Sequence, residues 1–321
     1  MAYIAKRTAS RLITFFVVIS VIFFLARSAG TDPFEIYLSE DPRIPLAQIE
    51  RLRAKFGLDK PIHIQYLDFL TNTLRGEFGY SLYYHMPVFD KIMQVLPNTL
   101  YLLGISIFIS TIISFTVGVY FAWKRGSKID LWGTNICMFI RSTPHFWLGM
   151  ILLLVFAYYI PMFPLFGWRT PGRDYANTFE YIKDVLWHTT LPLTTLLVRQ
   201  IGMYILYMRN STVEVLGEDY MVTAKAKGVS GRSMMFKHAA RNAMLPMVTV
   251  TAMRFGFMVN GAILTETVFS LPGTGRLIYI AIMNDDFFLL QGAFFITSIT
   301  VLLANLVADL ICAWLDPRIK I

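Results

Sequence analysis

One run of 25 residues, Asn98–Ala122, contains no charged side chain. About 20 apolar residues are enough to cross a hydrocarbon core of ~30 Å. Because no water is present there to satisfy backbone polar groups, such a run predicts a membrane-spanning α-helix. The same reasoning predicts five further spans, near Arg11–Ala26, Leu131–Ile160, Leu191–Met208, Ala243–Thr265 and Phe287–Leu315.

Composition agrees with a membrane protein. Hydrophobic residues make up 55% of the 321 residues and charged residues only 16%, with a mean hydropathy of +0.53. Soluble domains carry about 25% charged residues. Most of the chain is therefore expected to lie outside water.

The first apolar run allows a second interpretation. Basic residues precede it, and Ala26-Arg27-Ser28 resembles a cleavage site, so the run also fits a secretory signal peptide. Both interpretations are open from the sequence alone.

The net charge of +8 would suggest a nucleic-acid partner in a soluble protein. In a membrane protein, basic residues instead mark cytoplasmic loops. With both termini inside, the inner segments hold 14 basic and 6 acidic residues, and the outer segments hold 12 basic and 15 acidic residues. This asymmetry predicts cytoplasmic N- and C-termini, with no nucleic-acid partner.

The segment between the fourth and fifth spans predicts two short helices joined by a turn. Good helix formers continue to Lys227, Gly228 fits a helix stop, and Ser230 fits the cap of a second helix. Small residues near the turn would allow a partner to approach closely, and apolar residues after it would fill a groove. The alternative is a basic loop lying on anionic headgroups.

This segment resembles the cytoplasmic loop of permeases of ATP-binding-cassette importers, in the oligopeptide and dipeptide group. The general pattern is Glu-Ala-Ala, three residues, Gly and later Leu-Pro. The chain keeps Gly228 and Leu245-Pro246 but has Val222-Thr223-Ala224 in place of Glu-Ala-Ala. Departures at that position are common in the peptide group.

Other segments resemble the same group, so the similarity runs nearly end to end. They are Phe56-Gly-Leu-Asp-Lys-Pro61, Arg75-Gly-Glu-Phe-Gly-Tyr-Ser81, Thr143-Pro-His-Phe-Trp-Leu148, Glu266–Leu277, Ala308-Asp309 and Leu315-Asp-Pro-Arg318. Their order resembles the first permease of a pair.

The resemblance implies an all-α membrane protein: a six-helix permease of the type I importer kind, with a large extracytoplasmic loop after helix 1. Residues 1–30 would hold the first span and 31–97 the extracytoplasmic loop. Residues 98–321 would form a five-helix core with a cytoplasmic coupling loop at about 210–242.

The resemblance also implies that the chain lies in the inner membrane. Its expected partners are a second homologous permease, two cytoplasmic ATPases and an extracytoplasmic substrate-binding protein. The chain has no GxxxxGK[ST] loop, so ATP and Mg are expected on the ATPases and no catalytic residue or cofactor is expected here. The expected ATPase-coupling residues are Ala224, Gly228, Val229, Ser230, Arg232, Met234, Met235 and Phe236.

Charged residues within predicted spans suggest a substrate path. Such residues are costly in lipid and usually face water. Arginines without matched acids predict a positive cavity suited to a carboxylate, such as a peptide C-terminus. The alternatives are snorkelling, or a pair such as Arg254 with Glu266 or Asp309; Glu266 itself fits either a gate or a staple of the outer loop. The candidate path residues are Arg141, Arg199, Arg254 and Glu266.

Other functions have less support. No HExxH, GxSxG or paired intramembrane Asp indicates a membrane enzyme. No inverted repeat indicates a secondary transporter or channel. Two cysteines and five scattered histidines predict no metal site. Di- and oligopeptides are the expected cargo, with oligosaccharides, glutathione or nickel as alternatives, because the binding protein selects the substrate.

Overall fold

The computed structural model describes residues 13–24, 50–51, 53–54 and 57–315, without the side chains of Leu245, Asn260 and 304–315. Several predictions fall outside this part of the chain: the position of both termini, the charges near them, the side chain of Asp309 and most of the predicted loop before residue 57. The described residues are mainly helical.

The helices and strands are numbered in chain order. A two-stranded antiparallel hairpin pairs Tyr80 with Pro87 and Ser81 with Met86. The elements are α1 Ile13–Phe24, α2 Ile62–Leu74, β1 Tyr80–Ser81, β2 Met86–Pro87, α3 Val88–Trp123, α4 Lys128–Ser142, α5 His145–Leu153, α6 Thr178–Leu216, α7 Asp219–Ala226, α8 Gly231–Ser233, α9 Arg241–Gly256, α10 Ile263–Val268, α11 Thr274–Met283 and α12 Phe287–Leu315.

Two helices, α3 and α6, are long and apolar enough to cross a membrane. Two bent pairs pass the same test when each pair is counted together: Lys128–Ser142 with His145–Tyr159, bent by 88°, and Gly231–Met244 with Pro246–Val259, bent by 46°. By this criterion the described residues contain two to four spans, and the count of six spans stays a prediction. The first and last predicted spans correspond to shorter apolar helices, Ile13–Phe24 and Phe287–Leu303.

Two long helices begin earlier than the sequence predicted. Helix α3 starts at Val88, after Pro87, within the segment 31–97 that was assigned to the outer loop. Helix α6 starts at Thr178, where Asn177 caps it by accepting the Glu180 N–H. Hydropathy finds only the apolar part of a helix, so the polar turns at these ends were read as loop.

Helices α3 and α6 form the most extensive helix pair. Small residues at every fourth position of α3 make the close approach possible, because they lie on one face of a helix. A Cβ atom at Gly118 would lie 2.7 Å from Met208 Cβ, so only glycine fits there. The stripe is Ser106, Ser110, Ser114 and Gly118.

Two buried carboxylates fix loops to helix ends. Asp286 accepts the Ser81 hydroxyl at 2.5 Å and thereby ties the hairpin to the start of α12. Asp184 on α6 accepts the Thr170 N–H and hydroxyl, each at 2.7 Å, and the Tyr175 hydroxyl at 2.8 Å. Buried carboxylates are stable only when hydrogen-bonded, and both meet that condition.

Candidate functional site: a positively charged cavity and an exposed helical turn

A cavity of about 390 Å³ lies beside α6. The start of α5 at His145 and the 3₁₀ turn Phe257–Asn260, which follows α9, both border it. The lining residues are Leu103, Ile107, His145, Leu196, Arg199, Gln200, Met203, Tyr204, Arg254, Phe257, Met258 and 261–264.

Helix α6 supplies one continuous wall. Its lining residues, Leu196, Arg199, Gln200, Met203 and Tyr204, follow the spacing i, i+3, i+4, i+7 and i+8. This spacing places them on one face of an α-helix. The wall is therefore set by the helix itself and does not depend on a loop.

Gln200 holds this wall in register with α3. Its Oε1 accepts the Ser110 hydroxyl at 2.9 Å, and its Nε2 donates to Ser106 Oγ at 3.1 Å. Both serines are fully buried. Two hydrogen bonds from neighbouring turns of α3 fix the orientation of the side chain between Arg199 and Met203.

Arg199 and Arg254 line the cavity together, and both side chains are exposed. Arg254 Nη2 lies 3.8 Å from Met203 Sδ. Within the residues whose side chains are described, neither arginine forms an ion pair with a carboxylate. The structure thus brings together two of the three arginines predicted from the sequence.

The third predicted arginine lies elsewhere. Arg141 is exposed in the last turn of α4 and is not among the residues that line the cavity. Its helix ends at Ser142, before the 88° bend, whereas the cavity is lined from His145, the first residue of α5. We therefore omit Arg141 from the cavity.

Glu266 is a staple behind the cavity rather than part of its wall. Its side chain is completely buried and accepts the Ala262 N–H at 3.1 Å, the Arg276 N–H at 2.9 Å and the Thr99 hydroxyl at 3.0 Å. These donors occupy both oxygens, and the alternative pair with Arg254 is not formed. Of the two roles considered from the sequence, the staple fits this geometry.

The glycines after Glu266 are explained by its carboxylate. A Cβ atom at Gly273 would collide with the Glu266 carboxylate, and one at Gly275 would collide with the backbone of Ile263. The Pro-Gly-Thr-Gly sequence therefore serves close packing around one buried acid. Sequence similarity found this segment, but only the structure gives the reason.

His145 and Tyr204 are among the lining residues that were not selected from the sequence. His145, read as a packing residue, is the first residue of α5 and lines the cavity. Tyr204, which lies in an apolar run, is only 1% exposed. The sequence feature that could have identified Tyr204 is its spacing from Arg199 and Gln200, which places all three on one face of a helix.

The predicted helix stop at Gly228 is confirmed. Gly228 has φ +74°, its N–H donates to Lys225 O at 3.0 Å, and the Val229 N–H donates to Ala224 O at 3.3 Å. This pair of bonds is the Schellman motif, which requires a left-handed residue. Ser230 occupies the cap position of α8, but its hydroxyl makes no capping hydrogen bond.

The predicted coupling residues fall into three groups by exposure. Ala224 is buried. Val229, Met234 and Met235 are half-buried, and Met235 packs against the cluster around Val119 and Met208. The exposed members are Gly228, Ser230, Arg232 and Phe236. Contact of these residues with a partner stays a prediction. Tyr220 and Val222, not selected from the sequence, are also exposed.

This exposed turn is braced against the long helices. Ser211 donates to Ala243 O at 2.8 Å, and Asn242 donates to the Tyr220 hydroxyl at 2.8 Å. A Cβ atom at Gly231 would lie 3.3 Å from the Trp123 ring. These contacts connect α7 to α9, α8 to α3 and α6 to α9.

A buried ion pair anchors the same end of α6. Arg209 donates from Nε to Asp130 Oδ1 at 2.9 Å and from Nη2 to Oδ2 at 2.7 Å. The Gly126 N–H adds a third bond at 3.1 Å. Asp130 is 3% exposed and lies in the first turn of α4, so this bidentate pair ties the start of α4 to α6, and the Gly126 bond adds the loop between α3 and α4.

No group of three or more His, Cys, Asp or Glu side chains is arranged to hold a metal ion in the described part of the chain.

Comparisons with known proteins show the family of the chain. Residues 114–321 match the family described as binding-protein-dependent transport system inner membrane component, and residues 1–103 match its N-terminal domain. The oligopeptide transport system permease protein AppB of Bacillus subtilis (strain 168) is 34% identical over 99% of both chains. The dipeptide transport system permease protein DppB of Escherichia coli (strain K12) is 32% identical over 100% of this chain and 99% of its own.

A third relative, the peptidoglycan transport system permease protein YejB of Agrobacterium fabrum, is 35% identical over 84% of this chain and 75% of its own. The family match covers more than half of the chain, and the similarity to the first two relatives extends over nearly all of it. The chain therefore belongs to the inner-membrane components of binding-protein-dependent transport systems.

Proposed function

We propose that this chain is the membrane-spanning permease subunit of an ATP-driven importer of di- and oligopeptides. The observation that carries the proposal is the full-length similarity to relatives named as oligopeptide and dipeptide permeases. ATP hydrolysis would belong to separate subunits, and this chain would contribute no catalytic group. Oligosaccharide, glutathione and nickel are the alternative cargoes for the same type of transporter.

The proposed topology has six spans. Four come from α3, α6 and the two bent pairs, and the apolar helices Ile13–Phe24 and Phe287–Leu315 supply the first and last. The charge asymmetry supports cytoplasmic termini. Cysteine labelling at Asp59 and Lys320 tests the orientation: labelling is expected from opposite sides, and labelling of both from one side would rule it out.

The proposed partners are a second homologous permease, two cytoplasmic ATPases and an extracytoplasmic binding protein. The exposed turn after Gly228 would seat in one ATPase through Val229, Arg232 and Phe236. Support comes from its exposure together with its bracing against the long helices, since a coupling element must meet both conditions.

The cavity beside α6 is proposed as this subunit's part of the translocation path. Guanidinium groups inside a membrane are tolerated beside water or an anion. Arg199 and Arg254 share one cavity without a described carboxylate, which supports a water-filled path there.

Reconstitution tests the proposed function. Proteoliposomes containing both permeases and both ATPases, supplied with the binding protein, are expected to take up dipeptides and oligopeptides only when ATP is present. Omission of this chain should abolish uptake. ATP-dependent uptake of oligosaccharide but not of peptide would favour the alternative cargo, and ATP-independent uptake would contradict the importer itself.

A further inference from the structure

We propose that α2 is an interfacial helix, which buries one apolar side in the lipid of the outer leaflet although it belongs to the predicted extracytoplasmic loop. The inference rests on the proposed topology, because that topology makes the segment before α3 extracytoplasmic. It gives α2 a partner, the phospholipid beside the first span, that its position in the loop does not suggest.

The side chains of α2 divide among three sides of the helix. One side packs on the protein and carries Tyr66, Phe69, Leu70 and Thr73. A second side is polar, borders a cavity of about 180 Å³ and carries Gln65, Asp68 and Asn72. The third side carries Ile64, Leu67, Thr71 and Leu74. The spacing i, i+3, i+7 and i+10 of this third set places its members on one face of an α-helix.

The third side is apolar and faces away from the protein. Ile64 is 37% exposed, Leu67 is 57% exposed and Leu74 is 79% exposed. A single exposed aliphatic side chain is ordinary in a protein, but three on one side of a 13-residue helix form a continuous apolar surface. Such a surface is unfavourable in water, so this side of α2 needs an apolar partner.

Contacts with α1 place α2 at the level of the membrane surface. Phe23 and Phe24 lie in the last described turn of α1, and their ring centroids lie 5.3 Å and 5.4 Å from that of Tyr66. The Tyr66 hydroxyl also lies within hydrogen-bond distance of Ser20 Oγ, at 2.6 Å. Because α1 is the proposed first span and runs outward, these residues mark its outer end.

Contacts with α12 place α2 at the same level. Phe288, Gln291 and Gly292, in the first turns of α12, line the same cavity as Asp68 and Asn72. Helix α12 has 29 residues and is therefore about 43 Å long, whereas the hydrocarbon core is only ~30 Å thick. The ends of α12 thus reach the headgroup regions, and the polar side of α2 lies beside one of these ends.

The lipid-facing surface of α1 continues onto α2. Val17, Val21 and Phe24 are exposed at the spacing i, i+4 and i+7, so they form an apolar face that a membrane span turns to lipid. Phe24 stacks on Tyr66 with an interplanar angle of 27°, and Leu67 follows Tyr66 on the outward side of α2. Tyrosine is typical of the membrane–water interface. A helix there with one polar side and one apolar side lies with its apolar side among the acyl chains.

Photocross-linking in membranes tests the inference. The photoreactive residue p-benzoylphenylalanine replaces Leu67 in the complete complex, and the cross-linked product is identified by its mass, with and without the binding protein. The matched control is the same replacement of Asn72, on the polar side of the same helix. The same replacement of Val17, on the exposed face of α1, is the reference for lipid contact. All three positions are exposed, so the probe should not disturb assembly.

A lipid partner predicts phospholipid adducts at Leu67. Their yield should be comparable with that at Val17 and several-fold higher than that at Asn72, and the binding protein should not change it. A yield at Leu67 no higher than at Asn72, with lipid adducts present at Val17, would overturn the inference. Adducts of Leu67 with the binding protein, the second permease or residues 25–49 of this chain in place of lipid would also overturn it.

The cross-link separates the inference from the proposed function. It needs no transport, so a complex that yields phospholipid adducts at Leu67 but imports no peptide would contradict the proposed function and support the interfacial helix. Absence of lipid adducts at both Val17 and Leu67 would contradict the proposed first span together with the interfacial helix.

Discussion

Arg199 and Arg209 lie on the same helix, only ten residues apart, but in opposite circumstances. Arg209 forms a bidentate pair with buried Asp130, which the Gly126 N–H also supports. Arg199 faces a cavity that it shares with Arg254, and no carboxylate meets either of them among the described side chains. Near the end of α6 the charge of Arg209 is therefore paired with a carboxylate, whereas in the middle of the helix no described carboxylate pairs with Arg199.

The buried acids follow the first pattern. Glu266, Asp184 and Asp286 each accept several hydrogen bonds from backbone N–H or hydroxyl groups. Such sites hold loops to helices, because leaving any of these groups unpaired would be costly. Polar groups with such partners maintain the fold, and polar groups without described partners are available to a ligand.

The largest expected effect is at Glu266. Glu266→Ala removes the acceptor of three donors and leaves them buried, at about 1–3 kcal/mol each. We expect the complex to lose about 3 kcal/mol or more of stability, measured by thermal unfolding in detergent. Glu266→Gln should also destabilise it, because an amide NH₂ would face N–H donors.

The exposed acid Glu77 provides the control. Glu77→Ala should change the stability by less than about 0.5 kcal/mol. If Glu266→Ala were as harmless as Glu77→Ala, the buried carboxylate would not be a staple.

A second prediction concerns the ion pair at the end of α6. A double-mutant cycle with Asp130→Asn and Arg209→Gln should give a coupling energy of about 2 kcal/mol, since the pair is buried and bidentate. The exposed pair Lys60–Asp68, at 2.7 Å, should give a much smaller coupling energy, because solvent screens it. Equal coupling in the two pairs would remove the distinction between buried and surface charges.

A third prediction separates backbone strain from coupling. Gly228 and Gly126 both have positive φ, +74° and +81°, and a Cβ atom at either position would meet open space. Gly228→Ala and Gly126→Ala should therefore each cost about 1 kcal/mol. Only Gly228→Ala should lower uptake per ATP hydrolysed, because only that turn is proposed to contact an ATPase. Equal uptake per ATP in both variants would argue against the coupling surface.

Sequence reasoning located what depends on local pattern. The stop at Gly228 requires only a left-handed residue after a helix, and two deep arginines could be assigned to one cavity because charge inside an apolar run is conspicuous. The pairing of Arg209 could not be foreseen, since Asp130 is 79 residues away in the chain. From the sequence, Arg209 therefore contributed only to the number of basic residues in the predicted inner segments.

Two further points could not be settled from residue type. Ala224 and Met235 have residue types suited to a partner's groove, but a residue type does not show which side of a helix faces its own chain. The hydroxyl of Tyr204 was overlooked because an aromatic residue in an apolar run is expected to pack, and its missing partner is visible only in three dimensions. Tertiary contacts decide both cases.

The central claim is that the cavity arginines serve transport and not the fold. The variants that are expected to change the stability least test this claim most directly. Arg199→Gln, Arg254→Gln and Arg209→Gln are to be measured in parallel for thermal stability and for ATP-dependent peptide uptake. We expect the two cavity variants to lose less than about 1 kcal/mol of stability but most of their uptake of free-carboxylate peptide, and Arg209→Gln to lose about 2 kcal/mol. Cavity variants that are as unstable as Arg209→Gln, or that transport normally, would contradict the account.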